Sequence, residues 1–314
     1  MSTSIAAGTL KSTIVRSIRP PLSTRLLGPL SRVAPSATSW AAERLFLTPP
    51  RFDAPALERD LLVRARRGAI RVAGRRIATW TWGAGPRILL VHGWGGRGSQ
   101  LGAFVDPLVA HGFSVAWFDG PAHGASDGRS TTIPELAEVL GAVADALGPV
   151  RGIIAHSGGG VVSGWSIRRR LLEGFVDLPK AIALVAPPAD FRGHFERFVR
   201  ACGLSPSARA RLERRLEARV GLAPEAFDLS RFAGDLPVDA LVVHDREDAE
   251  VNWAEGAAIA AACPGAELLT TRGLGHRRIL RDPIVVAHVT DFIAVRLARE
   301  GSLAEPPAAL ATLC

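Results

Sequence analysis

Short, almost continuously apolar stretches recur along this chain, separated by helix-length segments with one polar face. Residues 88–91, 115–118, 152–155, 181–186, 240–243 and 267–269 are too short for helices. Stretches of this kind suit parallel strands covered on both sides. Between them, 99–110, 132–147, 159–172, 252–262 and 283–299 read as helices, the last opened by Asp282-Pro283 as cap and first turn. Upstream, 69–73 and 75–82 alternate as a hairpin does, and Gly83-Ala84-Gly85-Pro86 turns the chain into the first buried strand. The pattern predicts an α/β fold with a mostly parallel central sheet and helices on both faces.

One interval breaks the rhythm. Between Pro188 and Asp239 no strand is evident, while Ser205-Pro206 opens a helix with Leu212, Leu216 and Val220 on one stripe. A connection this long inside one domain is usually functional, so 189–238 is expected to be a helical lid over the carboxyl edge of the sheet, where open α/β sheets keep their sites. The core is then 68–188 with 239–299, and 300–314 is a tail. Residues 1–67 form a basic arm. Lys11, Arg16, Arg19, Arg25 and Arg32 precede the first acidic residue, Glu43, and Leu10, Ile14 and Ile18 keep helical spacing until Pro20-Pro21. Such an arm reads as a leader or a helix laid on the domain, resembles a transit segment in composition, and makes peripheral contact with a membrane surface the sharper expectation.

Composition narrows the class. With 314 residues and 47% hydrophobic content, the chain can bury one large core plus an insertion. The net charge of +8 comes from scattered arginines, with Lys11 and Lys180 the only lysines, so no nucleic-acid partner is expected. Cys202, Cys263 and Cys314 are odd in number and widely spaced, which suggests neither a disulfide framework nor a zinc site and favours a cytoplasmic setting. No apolar run reaches the roughly 18 to 20 residues of a membrane span. No ligand cluster calls for a metal or an organic cofactor.

The chemistry is carried by strand ends. Ile153-Ile154-Ala155-His156-Ser157-Gly158-Gly159-Gly160 runs a strand into a serine hemmed by small residues, as a strained strand-to-helix turn requires. Ser157 needs a base to attack a carbonyl, and His276, in Gly273-Leu274-Gly275-His276 after the last strand, is placed to be that base. Asp248, after the preceding strand, would fix the histidine tautomer. His92-Gly93-Trp94-Gly95-Gly96 follows 88–91 and can turn backbone amides toward an oxyanion, so Trp94 and Gly158 N–H are the expected donors. Asp245 and Asp190 are rivals for the acid.

These segments resemble the α/β-hydrolase fold superfamily over roughly 68–299. The order Ser157, Asp248, His276 matches that superfamily's order, and Asp119-Gly120-Pro121-Ala122-His123-Gly124-Ala125-Ser126 is similar to the loop after its fourth strand. Ala155 departs from the usual first glycine of the elbow, and Asp245 stands where many relatives carry glycine. The resemblance implies a serine hydrolase cleaving a small-molecule carboxylic ester or thioester through an acyl-enzyme. Transfer of the acyl group to an alcohol or amine, or carbon–carbon bond hydrolysis, would use the same triad. A noncatalytic ligand-binding protein of the same fold is the remaining alternative. His92 and His123 are expected to brace their loops, and His156 to face away, buried and satisfied. The arginines of the 206–220 helix, interleaved with Glu213 and Glu217, read as a solvated face.

Overall fold

Along each buried strand, successive side chains go to opposite apolar layers, which is why the runs read as continuous. Leu89 and Val91 join one buried cluster, Ile88 and Leu90 the other, and Leu241 and Val243 alternate with Ala240 and Val242 in the same way. The computed structural model describes residues 26–299. In chain order these form α1 (Leu27–Val33), α2 (Pro35–Phe46), α3 (Ala56–Arg64), β1 (Arg66–Val72), β2 (Arg75–Trp82), β3 (Arg87–Val91), α4 (Val105–Ala110), β4 (Ser114–Phe118), α5 (Ile133–Leu147), β5 (Val150–His156), α6 (Gly158–Leu172) and β6 (Ala181–Val185). Then follow α7 (Phe191–Cys202), α8 (Pro206–Val220), β7 (Asp239–Asp245), α9 (Trp253–Ala262), β8 (Glu267–Thr271), α10 (Gly275–Arg278) and α11 (Pro283–Arg299).

The eight strands form one sheet in the order β1-β2-β4-β3-β5-β6-β7-β8. The β1–β2 and β2–β4 pairings are antiparallel and all the others parallel. Helices α5, α6 and α9 cover one face, α4 and α11 the other. The expected strands and the hairpin are therefore present. The expected helix 99–110 is instead a 3₁₀ segment, Gly98–Phe104, followed by α4. Pro107 has no N–H to offer the carbonyl of Ala103, so a continuous α-helix cannot run through this point.

Residues 189–238 are helical, as expected, but contain one helix more than the sequence suggested. Besides α8, capped by Ser205, there is α7, and three short 3₁₀ turns follow at Pro224–Phe227, Leu229–Arg231 and Ala233–Asp235. Phe195 and Val199 of α7 pack with Leu212 and Leu216 of α8 against Ala42, Phe46 and Leu47 from the N-terminal segment, a cluster separate from both faces of the sheet. The part of the basic arm from Leu27 to Arg64 is thus built into the molecule as α1–α3. The amphipathic stretch expected at 10–18 lies outside the described residues. Among the described residues no helix is long and apolar enough to cross a membrane, and Cys202 and Cys263 are buried free thiols.

A buried ion pair seats α3. Glu58, 4% exposed, accepts from Arg97 Nε at 2.6 Å and Nη2 at 3.0 Å, from Ser99 Oγ at 2.8 Å and from Arg281 Nη2 at 3.2 Å. Removing one member of such a pair strands the other charge in low dielectric. Glu58→Ala is expected to lose roughly 3–5 kcal/mol of stability in urea unfolding; a loss under about 1 kcal/mol, the range of a surface pair, would mean that α3 is not held this way.

Candidate active site

At the carboxyl end of β5 the chain must reverse at once into α6, and Ser157 absorbs the reversal with φ 51° and ψ −128°. A non-glycine residue in this region costs of order 1–3 kcal/mol, and the neighbours make room for it. A Cβ on Gly93 would lie 2.9 Å from Ser157 Cβ, and one on Gly159 would lie 2.6 Å from the carbonyls of Val91 and His92. Ala155, fully buried between β3 and β6, sits in a regular register that runs Val91, Ala155, Leu184 across the sheet.

Two further strand ends supply the partners. His276, in α10 after β8, has Nδ1 2.7 Å from Asp248 Oδ2, with Asp248 in the loop after β7. Burial alone would raise the Asp248 carboxyl, but His244, His276 and the Val251 N–H together hold it well below the usual carboxylate range. His244 Nε2 is 3.1 Å from Val251 O and 3.4 Å from Asp248 Oδ2, so its proton is shared between them. Its Nδ1 is buried without a partner and faces Gly256, where a Cβ would come within 2.2 Å. Sequence reasoning did not single out His244, although its place four residues before Asp248 was a signal.

Asp245, the rival acid, does different work. Its Oδ2 accepts from Thr271 Oγ1 at 2.7 Å and Leu274 N at 3.0 Å, and its Oδ1 from Glu247 N at 2.9 Å. It ties the loop that carries His276 to the end of β7 and is not within hydrogen-bond reach of the imidazole. Asp190 caps α7 through Gly193 N at 2.6 Å. Arg277 pairs with Glu250, and Arg278 bonds the carbonyls of Leu274 and Gly273.

His156 was expected to be buried and satisfied, as it is, and it also has a role the sequence did not suggest. Its Nε2 lies 2.9 Å from the carbonyl of His276, and the two rings are 4.8 Å apart. The residue before Ser157 thus clasps the loop of His276 to the elbow. Ser157 Oγ itself makes no hydrogen bond among the described residues.

The loop after β3 completes the site. A Cβ on Gly158 would sit 3.6 Å from Trp94 N, so the two expected donors are neighbours. Neither amide donates to another group among the described residues. His92 and His123 brace this loop against 119–126 reciprocally. His92 Nε2 accepts from Gly120 N at 2.9 Å, His123 Nε2 accepts from Gly95 N at 3.0 Å, and their Nδ1 atoms reach Gly93 O and Pro121 O. Asp119 takes the amides of Gly98 and Ala125.

Burial keeps these histidines neutral. It lowers His92, and pushes His123 and His156 down to about 3. Unfolded histidine titrates near 6.5, so between pH 6.5 and about 3 the unfolded chain binds more protons than the folded one, and stability must fall as pH falls. Each such histidine contributes about 1.4 kcal/mol per pH unit within that window. Urea unfolding at pH 7 and pH 5 is expected to differ by several kcal/mol with no further gain above pH 7; a flat profile would show these rings charged or solvated in the native state.

A serine on a strained strand-to-helix turn, with an aspartate-bound histidine and two free amides at the same edge of a parallel sheet, defines the class of α/β enzymes that attack with a serine. The sequence profile described as the alpha/beta hydrolase family matches residues 88–310, and the chain belongs to that family. It is 31% identical over 242 residues to a pimeloyl-[acyl-carrier protein] methyl ester esterase of Xanthomonas axonopodis pv. citri (strain 306), covering 63% of this chain and 90% of the relative. To the enzyme of that name from Stenotrophomonas maltophilia (strain K279a) it is 29% identical over 265 residues, 70% of this chain and 97% of the relative. Its fold is similar to Est1E from Butyrivibrio proteoclasticus, solved with ferulic acid (TM-score 0.60, 18% identity, 74% of this chain and 99% of that one), and to the Pyrococcus furiosus esterase Pf2001 (TM-score 0.59, 20% identity, 81% and 99%).

Proposed function

We propose that this chain is a serine hydrolase that cleaves a small-molecule carboxylic ester or thioester through an acyl group held on Ser157. His276 takes the hydroxyl proton as Oγ attacks the carbonyl and returns it to the leaving group, and water then repeats the attack. Asp248 stays ionised, holding the Nδ1–H tautomer and offsetting the imidazolium charge. Trp94 and Gly158 amides receive the tetrahedral oxyanion. The observation that carries this reading is the 2.7 Å contact of His276 with Asp248 on a loop clasped by His156 to the residue before Ser157. The esterase relatives support it.

Residues 189–238 serve in this reading as a lid. Support comes from their separate apolar cluster with α2 and from their footing on α6, where a Cβ on Gly164 would come within 2.5 Å of Leu229. A fluorophosphonate should add one adduct to the folded protein by intact mass, mapping to Ser157, and p-nitrophenyl esters of graded length should be turned over. No adduct, or one on another residue, would refute the assignment.

A further inference from the structure

A second concave site lies between α2, α8 and the loop after β4. It is a groove of about 680 Å³, within the roughly 300–1,000 Å³ of small-molecule sites. Five arginines, Arg44, Arg51, Arg129, Arg215 and Arg219, are among its lining residues, against one acidic residue, Glu43. Two of the five are already engaged. Arg51 is consumed by the carbonyls of Ala122, Ser126 and Gly128, and Arg215 is paired with Glu43. Arg44, Arg129 and Arg219 are exposed and have no carboxylate partner among the described residues. On α8, by contrast, Arg209 is neutralised by Glu196 and Glu213, so this helix is a solvated, paired face only in part.

Arg44, Arg129 and Arg219 thus border one groove without a carboxylate to pair with among the described residues, and planar guanidinium forks match the oxygens of a phosphate. The groove also presents an aromatic face. Trp40 is 54% exposed, with the Arg44 guanidinium 5.9 Å from its ring, so a planar group carried by the anion has a surface to stack on.

We propose that the groove binds a phosphorylated organic anion carrying a planar ring, the phosphate held by Arg44, Arg129 and Arg219 and the ring laid against Trp40. The groove adjoins the site of Ser157 without sharing its machinery. Pro50, between the lining residues Pro49 and Arg51, packs on Gly95, and Trp94 precedes Gly95 in the oxyanion loop.

The test is calorimetric titration of the full chain with adenosine monophosphate, inorganic phosphate and adenosine, repeated on Arg44→Gln and Arg219→Gln. Saturable binding of adenosine monophosphate is expected, weakened about tenfold or more by either substitution, with inorganic phosphate weaker and adenosine weaker still. Turnover of an uncharged p-nitrophenyl ester should be unchanged in both variants, which also shows that they fold. The measurement needs no catalysis, so it stands apart from the esterase assignment. Absence of saturable binding, equal affinity in the variants, or adenosine binding as tightly as its phosphate would overturn the proposal. Inorganic phosphate binding as tightly as the nucleotide would remove the ring from it.

Discussion

Ser157→Ala is expected to lower kcat for p-nitrophenyl esters by on the order of 10⁵–10⁶-fold and to abolish fluorophosphonate labelling. What remains should be the contribution of the oxyanion amides and of substrate binding, roughly 10³–10⁴-fold above water. The loss should be purely chemical. Ser157 Oγ has no hydrogen-bond partner among the described residues, and alanine keeps the Cβ that Gly93 leaves room for, so unfolding in urea should shift by no more than about 0.5 kcal/mol. Ser157→Gly provides the complementary measurement. It should be equally inactive but more stable, because glycine adopts the φ of 51° found here without the Cβ penalty. Retention of more than about a tenth of the activity by Ser157→Ala would end the case for this nucleophile.

The parts of the fold that were legible are those where one physical constraint dominates the residue choice. Strands β3 to β7 are sealed on both faces, and nothing but small or branched apolar residues can occupy Leu89, Ile154 or Val243. The residues singled out for chemistry could be chosen because a parallel sheet delivers the ends of its strands to one edge, where the Ser157 turn, the Asp248–His276 pair and the Trp94 loop all follow strands. The N-terminal helices were not legible. The buried positions of α2 are Thr38, Ser39 and Ala42, whose hydroxyls turn back to Ala34 O and Ser36 O and leave no apolar periodicity to read. Glu58 reads as surface in the sequence because its cation, Arg97, lies 39 residues on. The clasp from His156 to His276 spans 120 residues, and no local pattern announces it.

Asp245, the last residue of β7, and Asp248 in the loop after it lie three residues apart, and exchanging each carboxylate for its amide should separate their roles. In Asp248→Asn the imidazole of His276 loses the charged acceptor that fixes its tautomer and offsets its cation, and kcat should fall by about 10⁴-fold. Part of that loss follows from the protonation state. His244, His276 and the Val251 amide hold the Asp248 carboxyl well below the usual range, so across the working pH it is a full anion, and an uncharged amide cannot replace it. Asp245→Asn should behave otherwise, because its partners are Thr271 Oγ1 and the amides of Leu274 and Glu247. An asparagine there can still accept through its one oxygen but must turn an NH₂ toward a donor, so the cost falls on stability, about 1–3 kcal/mol, with a kcat loss far smaller than that of Asp248→Asn. Measured together on a common ester, the two variants decide the acid. An inactive Asp245→Asn beside an Asp248→Asn that keeps more than a tenth of wild-type kcat would transfer the role to Asp245 and would require the β7 loop to rearrange on binding substrate.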